Sequence, residues 1–326
     1  METKMQTIKW RLSREEGLQW ARICWHYYIE GQTQESIANR LGLPRMRVNR
    51  ILNEARANGF VRFAIVPPFG ICPELEAKLI EKFGLKGAVV VPGPAENEDV
   101  RKVVGVAAGE YLSDNLEPGE VLGLTWGGTT SSAAQALRPR SGEGATVISL
   151  CGGLASSGQV NPYDNAAFFA RSLDAHCYYI PAPMYADSPE LRDLLVASQA
   201  VRTVLDQVPL ITTALLTAID LTDVSNATRY NVLTEEQLQS LLESRAVGSI
   251  CGYFLDAEGN VTDHRLNSLA VAPPMSALQA IPRCVLAAGG VQKKDIILAG
   301  IRAGLADVLI TDDLTAASLL EEVSLG

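Results

Sequence analysis

The sequence is poor in the residues and spacings that mark metal centres, membrane spans and common catalytic motifs. Its six cysteines (Cys24, Cys72, Cys151, Cys177, Cys251 and Cys284) never form a C-x-x-C, and its three histidines are scattered. That pattern argues against a Cys/His metal site. No apolar run approaches the ~18 residues a membrane span needs. The start, Met1-Glu2-Thr3-Lys4, leads into no apolar signal stretch, so a cytoplasmic protein of a reducing compartment is expected. H-E-x-x-H, G-x-S-x-G, Walker A and G-x-G-x-x-G patterns are all missing, as are internal repeats and low-complexity tracts. No cofactor is expected, and no recognisable acid/base constellation points to an enzyme.

What is present is ordinary globular material in an uneven charge arrangement. The chain has 326 residues, 47% hydrophobic and 20% charged, on the scale of two domains. Residues 1–62 carry 11 Lys/Arg against 6 Asp/Glu, whereas the rest carries 17 against 31. A basic head on an acidic body predicts that the head alone meets a polyanion.

The head reads as a helix-turn-helix. Ser13 and Glu16 have capping-box spacing. Leu18, Ala21, Trp25 and Tyr28 recur at helical spacing and predict one apolar face that ends near Gly31. Ala38 is small where two helices cross, Gly42 can take the positive φ of the turn, and Pro44 suits a helix start. Val48 and Ile51 then face inward, completing an A-x3-G-x5-V-x2-I spacing. The outward residues Arg45, Met46, Arg47, Asn49 and Arg50, with Gln34 opening the preceding helix, are the candidate DNA contacts. Arginine can pair bidentately with guanine and asparagine with adenine, and either can bind phosphate. An ordinary helical hairpin with a solvated basic face is the competing reading. Val61–Val66 alternates like a wing strand, and Pro67-Pro68-Phe69-Gly70 reads as a linker, which sets domains of 1–66 and 67–326.

Beyond the linker, apolar runs alternate with helical stretches, the pattern of a parallel α/β sheet. Runs are predicted at 88–91, 121–125, 147–150, 178–180, 211–219, 250–255, 285–288 and 308–311, with one helix over 189–205. Ligands in such sheets bind at the carboxyl ends of strands. The strongest strand end is Gly127-Gly128-Thr129-Thr130, where bare amides and hydroxyls at a helix start suit a phosphate or clustered hydroxyls; a turn that merely needs glycine is the alternative. Gly152-Gly153, Pro183 and Gly290 with Lys293 end further strands. Asp312 reads better as a cap on the last helix than as a ligand contact, and Trp126 as sugar platform or core alike.

Taken in order, these motifs resemble the SorC family of sugar-sensing bacterial transcriptional regulators over nearly the whole chain. The resemblance rests on Thr33-Gln34-x3-Ala38-x3-Leu41-Gly42, Gly127-Gly128-Thr129-Thr130, Ile180-Pro-Ala-Pro183, Val247-Gly248-Ser249-Ile250, Gly289-Gly290-x-x-Lys293 and Leu309-Ile310-Thr311-Asp312. It implies a Rossmann-like body related to sugar-phosphate isomerases but used for sensing, with a sugar, polyol or sugar-phosphate effector held by Gly128, Thr129, Thr130 and Lys293. It also implies tetramers that release operator DNA on binding the effector, while reading two-fold operator half-sites by itself asks for at least a dimer. Ser249 stands where many family members have aspartate, so effector identity does not carry over. The rival reading is an isomerase- or deaminase-like enzyme with a DNA-binding appendage.

Overall fold

In a computed structural model the described residues are 13–57, 60–61, 72–94, 99–139, 144–154, 161–221 and 233–321. The chain divides into two units, Met1–Val66 and Pro67–Gly326. Beyond Val61 the expected wing strand lies outside the described residues, as do the Pro67–Gly70 linker and Gly59.

The first unit is helical. Its opening helix, Arg14–Cys24, starts on the predicted capping box: Ser13 Oγ accepts from Glu16 N at 3.2 Å while Ser13 N donates to Glu16 Oε2 at 2.8 Å. The bond from the Ser13 amide, then that from its hydroxyl, holds the Glu16 carboxyl below its ordinary range. A π-helical turn, Trp25–Ile29, follows. The second and third helices are Gln34–Leu41 and Arg45–Ala57. Gly42 sits between them at φ 62, and Leu43 N donates to Ala38 O at 2.9 Å, so the chain reverses as its spacing requires.

Val48 and Ile51 are inward, packed with Ile37, Ala38, Leu52 and Ala55. The face predicted for the first helix is wrong. Trp20, Ile23 and Cys24 are buried, with Tyr27 and Tyr28 packed against them, whereas Leu18 and Trp25 are more than half exposed. Both sets have helical spacing. The buried set wins because Trp20 meets Phe60 edge-on, ring centroids 5.7 Å apart, over the second and third helices.

Among the described residues of the second unit, seven parallel strands form one sheet: β1 (Gly87–Val91), β2 (Val121–Leu124), β3 (Thr146–Gly153), β4 (His176–Pro183), β5 (Thr213–Leu216), β9 (Arg283–Ala287) and β10 (Val308–Asp312). Their order is β1-β10-β9-β5-β2-β3-β4. Apolar side chains fill both faces, which is why these strands read as continuous hydrophobic runs. The remaining three, β6 (Ala218–Asp220), β7 (Gly248–Ile250) and β8 (Tyr253–Leu255), make a small antiparallel sheet.

That small sheet corrects the all-parallel expectation. The 250–255 run is a hairpin, because Cys251 and Gly252 both take positive φ (53 and 82) and turn the chain back. Likewise the 211–219 run breaks at Thr217 and feeds two sheets, and the 189–205 helix is two helices, Pro189–Ala197 and Gln199–Leu205, parted at an extended Ser198.

Candidate functional site

The sheet order reverses between β2 and β5. From β2 the chain moves outward through β3 to β4, and from β5 it moves the other way, through β9 to β10. A crevice outside the carboxyl ends of these two strands is where such a sheet binds its ligand. The Gly127 turn lies there. Thr125 directly follows β2 and Thr217 directly follows β5, and their hydroxyls are 3.1 Å apart. Thr217 N donates to Thr125 Oγ1 at 3.0 Å, and Thr217 Oγ1 donates to Trp126 O at 2.7 Å.

Gly127 then takes φ 121, a conformation that a side chain resists, and opens the helix Gly128–Ala136 without any side-chain cap. The first intrahelical bond is Ser131 N to Gly127 O at 2.9 Å, so the amides of Gly128, Thr129 and Thr130 precede it. Thr129 and Thr130 are buried, and Thr130 Oγ1 has no hydrogen-bond partner. Thr130 lies in the first turn of this helix, among the amides that precede its hydrogen-bond ladder. Bare amides beside a buried unpaired hydroxyl suit an anionic or hydroxyl-rich ligand.

Other predicted residues fare differently. Gly152 N donates to Val271 O at 3.2 Å and Gly153 N to the Tyr163 hydroxyl at 3.1 Å. Their amides are therefore spent inside the protein. A Cβ on Gly152 would come within 2.4 Å of Pro183 O, and one on Gly153 within 2.5 Å of the Tyr163 ring. These glycines serve close packing, and Pro183 is the exposed partner of Gly153 on the edge strand β4. The Gly290 amide is likewise occupied, by Asp312 Oδ2 and Thr315 Oγ1, each at 2.8 Å. Asp312 caps the last helix, Asp313–Leu320, as its position suggested. Ser249 is buried on β7, opposite Ile219 and Phe254. Trp126 belongs to the core.

Lys293 is buried and begins the helix Lys294–Arg302 after β9. The β2 and β9 ends are not side by side, because β5 stands between them, which sets them about 10 Å apart at two strand spacings. One helix bridges the gap. Val100–Asn115 places Val100 Cγ2 3.0 Å from a Cβ position on Gly289, and Arg101 Cδ 3.5 Å from one on Gly128. The sequence reading missed Arg101, Thr217 and Asn165, whose Nδ2 donates to Gly127 O at 3.4 Å. Only the Asp99 cap two residues before Arg101 signalled that a helix begins there.

On the head, Arg45, Met46, Arg47 and Arg50 are exposed along one helix, with Met46 at 79%. Arg47 donates to Gln19 Oε1 at 3.3 Å, and Arg50 lies 3.8 Å from Glu54. Asn49 is half-buried and accepts from Gln34 Nε2 at 3.4 Å, which ties the second helix to the third. A cleft of about 650 Å³ lies at the start of the second helix, between Tyr27, Gln34 and Arg45.

A helical head with an arginine-lined third helix and an α/β body with an uncapped Gly-Thr-Thr helix start at its sheet-order reversal define a two-domain, ligand-responsive DNA-binding regulator. Residues 68–321 match the sugar-binding domain family, and residues 19–58 match sigma-70 region 4. The chain belongs to the SorC family of sugar-binding transcriptional regulators. It is 33% identical over 326 residues to the transcriptional regulator LsrR of Escherichia coli (strain SMS-3-5 / SECEC), covering 96% of this chain and 99% of the relative. It is 29% identical over 300 residues to the deoxyribonucleoside regulator of Bacillus subtilis (strain 168), covering 91% and 95%. The crystal structure of the full-length sorbitol operon regulator SorC from Klebsiella pneumoniae superposes with a TM-score of 0.71 at 26% identity, covering 94% of this chain and 100% of that one. These relatives are named as regulators, and this chain is a regulator of the same family.

Proposed function

We propose that residues 1–66 bind operator DNA through the third helix and that residues 67–326 bind a small sugar, polyol or sugar phosphate that changes operator affinity. Arg45, Met46, Arg47 and Arg50 face the major groove in this reading. Asn49 joins them on exchanging its Gln34 bond for a base, and Gln34 holds the backbone beside the cleft. The effector sits on the Gly127–Thr130 turn, with Lys293 reaching in from the β9 end.

The observation that carries this reading is the unpaired Thr130 hydroxyl, buried at the start of an uncapped helix. Leaving such a group unmade costs about 1–3 kcal/mol, so a ligand that pairs with it recovers that loss on binding. The similarity to a deoxyribonucleoside regulator and a sorbitol operon regulator favours pentose- and polyol-type effectors. Output is repression relieved by the effector, from a dimer or tetramer in the cytoplasm; among the described residues no helix is long and apolar enough to cross a membrane. A thermal-shift screen of the full chain with sugars, polyols and their phosphates tests the effector site. A stabilising ligand is expected, with the shift lost in Thr130→Val. A shift that survives in Thr130→Val overturns the site, and silence across the panel overturns the effector class.

A further inference from the structure

The Gly127–Thr130 turn has a charged pair at its mouth that the sugar-binding reading does not use. Asp99 caps the helix Val100–Asn115, and Arg101 folds back on it. Arg101 N donates to Asp99 Oδ1 at 3.0 Å, and Arg101 Nε donates to Oδ1 at 2.8 Å and to Oδ2 at 3.0 Å. Burial pushes the Asp99 carboxyl up, but the bonds from the Arg101 side chain and amide outweigh it and leave it below its ordinary range.

The same arginine lies against the turn. Its Cδ is 3.5 Å and its Nε 3.7 Å from a Cβ position on Gly128, the residue whose amide opens the uncapped helix. Its side chain is 35% exposed, so it is reachable from solvent yet partly shielded from it. Its place is set by the helix that bears it, not by the flexibility of the side chain. A Cβ on Gly105 would come within 2.6 Å of Thr129 O, and one on Gly109 within 2.4 Å of Ala133 O. Two glycines four residues apart thus let the two helices touch backbone to backbone. Arg101, one turn before Gly105, is held beside Gly128 by that contact.

We propose that Arg101 is the residue that selects a phosphorylated effector over its neutral parent, with Asp99 as the internal anion that the phosphate competes against. The inference rests on the effector site proposed above and adds a charge filter to it. Backbone amides and threonine hydroxyls serve a hydroxyl group and a phosphate alike. A guanidinium does not, because its donors pair most strongly with an oxyanion. Asp99 keeps the guanidinium oriented in the free protein and lowers its net attraction for a weak anion, so that a dianionic ester is favoured over a singly charged carboxylate.

Calorimetric titration of the full-length chain with ribose, ribose 5-phosphate, sorbitol, sorbitol 6-phosphate and inorganic phosphate tests this, with Arg101→Gln, Arg101→Lys and Asp99→Asn beside the wild type. Asparagine is as good a helix cap as aspartate, so Asp99→Asn removes charge and keeps the helix start. Arg101→Gln is expected to lose roughly ten-fold or more in affinity for the phosphate ester, the effect of one lost bond to a charged group, and to keep any affinity for the neutral sugar. Arg101→Lys restores part of the loss, and Asp99→Asn binds the ester and inorganic phosphate more tightly than wild type. Ester binding that is unchanged in Arg101→Gln overturns the charge filter and leaves the effector site standing. Wild-type binding of a neutral compound but of no ester does the same. Loss of ester and neutral binding in equal measure also overturns it, since a filter acts on charge alone. Silence of the wild type toward every compound brings down both proposals together.

Discussion

Arg101 stands across two helices from Gly128, close enough that a Cβ added to Gly128 would lie 3.5 Å from Arg101 Cδ. A cation is thereby placed beside a helix start that no side chain caps. This closeness depends on Gly105 and Gly109, which admit Thr129 O and Ala133 O closer than any Cβ allows. Gly109→Val is expected to destabilise the body by about 1–3 kcal/mol, the range for overpacking a close contact. Chemical denaturation of the purified chain checks this, and a midpoint equal to wild type would show that the helices can part without loss.

Thr130→Val should separate stability from function. The hydroxyl is fully buried and unpaired, so its isosteric replacement is expected to raise the unfolding free energy of the ligand-free protein, by up to the ~1–3 kcal/mol that an unsatisfied polar group costs. A higher melting temperature together with weaker effector binding is the expected pair of results. A lower melting temperature would mean that the hydroxyl has a partner in the folded protein.

The head offers a backbone test. Gly42 is at φ 62 with nothing within 4 Å of a Cβ position, so any penalty on substitution is conformational, with no steric part. Gly42→Ala should cost about 1 kcal/mol of head stability and Gly42→Asn less, since asparagine tolerates the left-handed region. The melting of the 1–66 unit, followed by the fluorescence of buried Trp20, reads this. Equal stability of the alanine variant would count against the left-handed turn.

How much of this was legible beforehand follows from the range of the forces involved. The caps at Ser13 and Asp312 and the turn at Gly42 are set by residues three or four apart, and the sequence spacing reveals them. The Gly127 turn was readable for the same reason. The first helix was misread because two apolar sets, Leu18-Ala21-Trp25 and Trp20-Ile23-Tyr27, both fit a helical period, and only packing with Phe60 and the third helix chooses between them. The β7–β8 hairpin was hidden because Cys251 occupies a positive φ that its identity does not advertise. Arg101 was hidden because its partner turn is a separate strand and helix away, and a lone arginine reads as a solvated charge.

Acid should weaken the body through His264. Its Nδ1 accepts from Leu266 N at 3.2 Å as a helix cap, and Nε2 lies 3.1 Å from Ser240 Oγ, an arrangement that needs the neutral ring. Burial lowers its pKa below the ordinary 6.5. A base with a depressed folded-state pKa contributes stability above its unfolded value that is lost as pH falls through the folded one. Melting temperature is therefore expected to fall as the pH drops below about 6.5, and His264→Asn, which keeps a capping side chain, should flatten that part of the profile. An identical slope in the variant would assign the effect to other groups.

In the recognition helix, Arg50 is exposed and only loosely paired with Glu54 at 3.8 Å, so it is available to a phosphate. Arg50→Ala should weaken operator binding and lower the salt slope by about 1. Wild-type affinity with an unchanged slope would remove Arg50 from the interface.

The central claim is that a small ligand on the Gly127–Thr130 turn controls DNA binding by the head. Fluorescence anisotropy of a labelled operator with the full-length protein, titrated with the best ligand from the thermal-shift screen, tests it when wild type and Gly128→Val are run together. A Cβ at Gly128 meets nothing closer than 3.5 Å, so the variant is expected to fold, while its larger side chain blocks close approach of a ligand to the amide. The account predicts equal operator affinity for the two proteins without ligand, and ligand-driven release from DNA in the wild type alone. Release of the Gly128→Val protein at the same ligand concentration as wild type would contradict it.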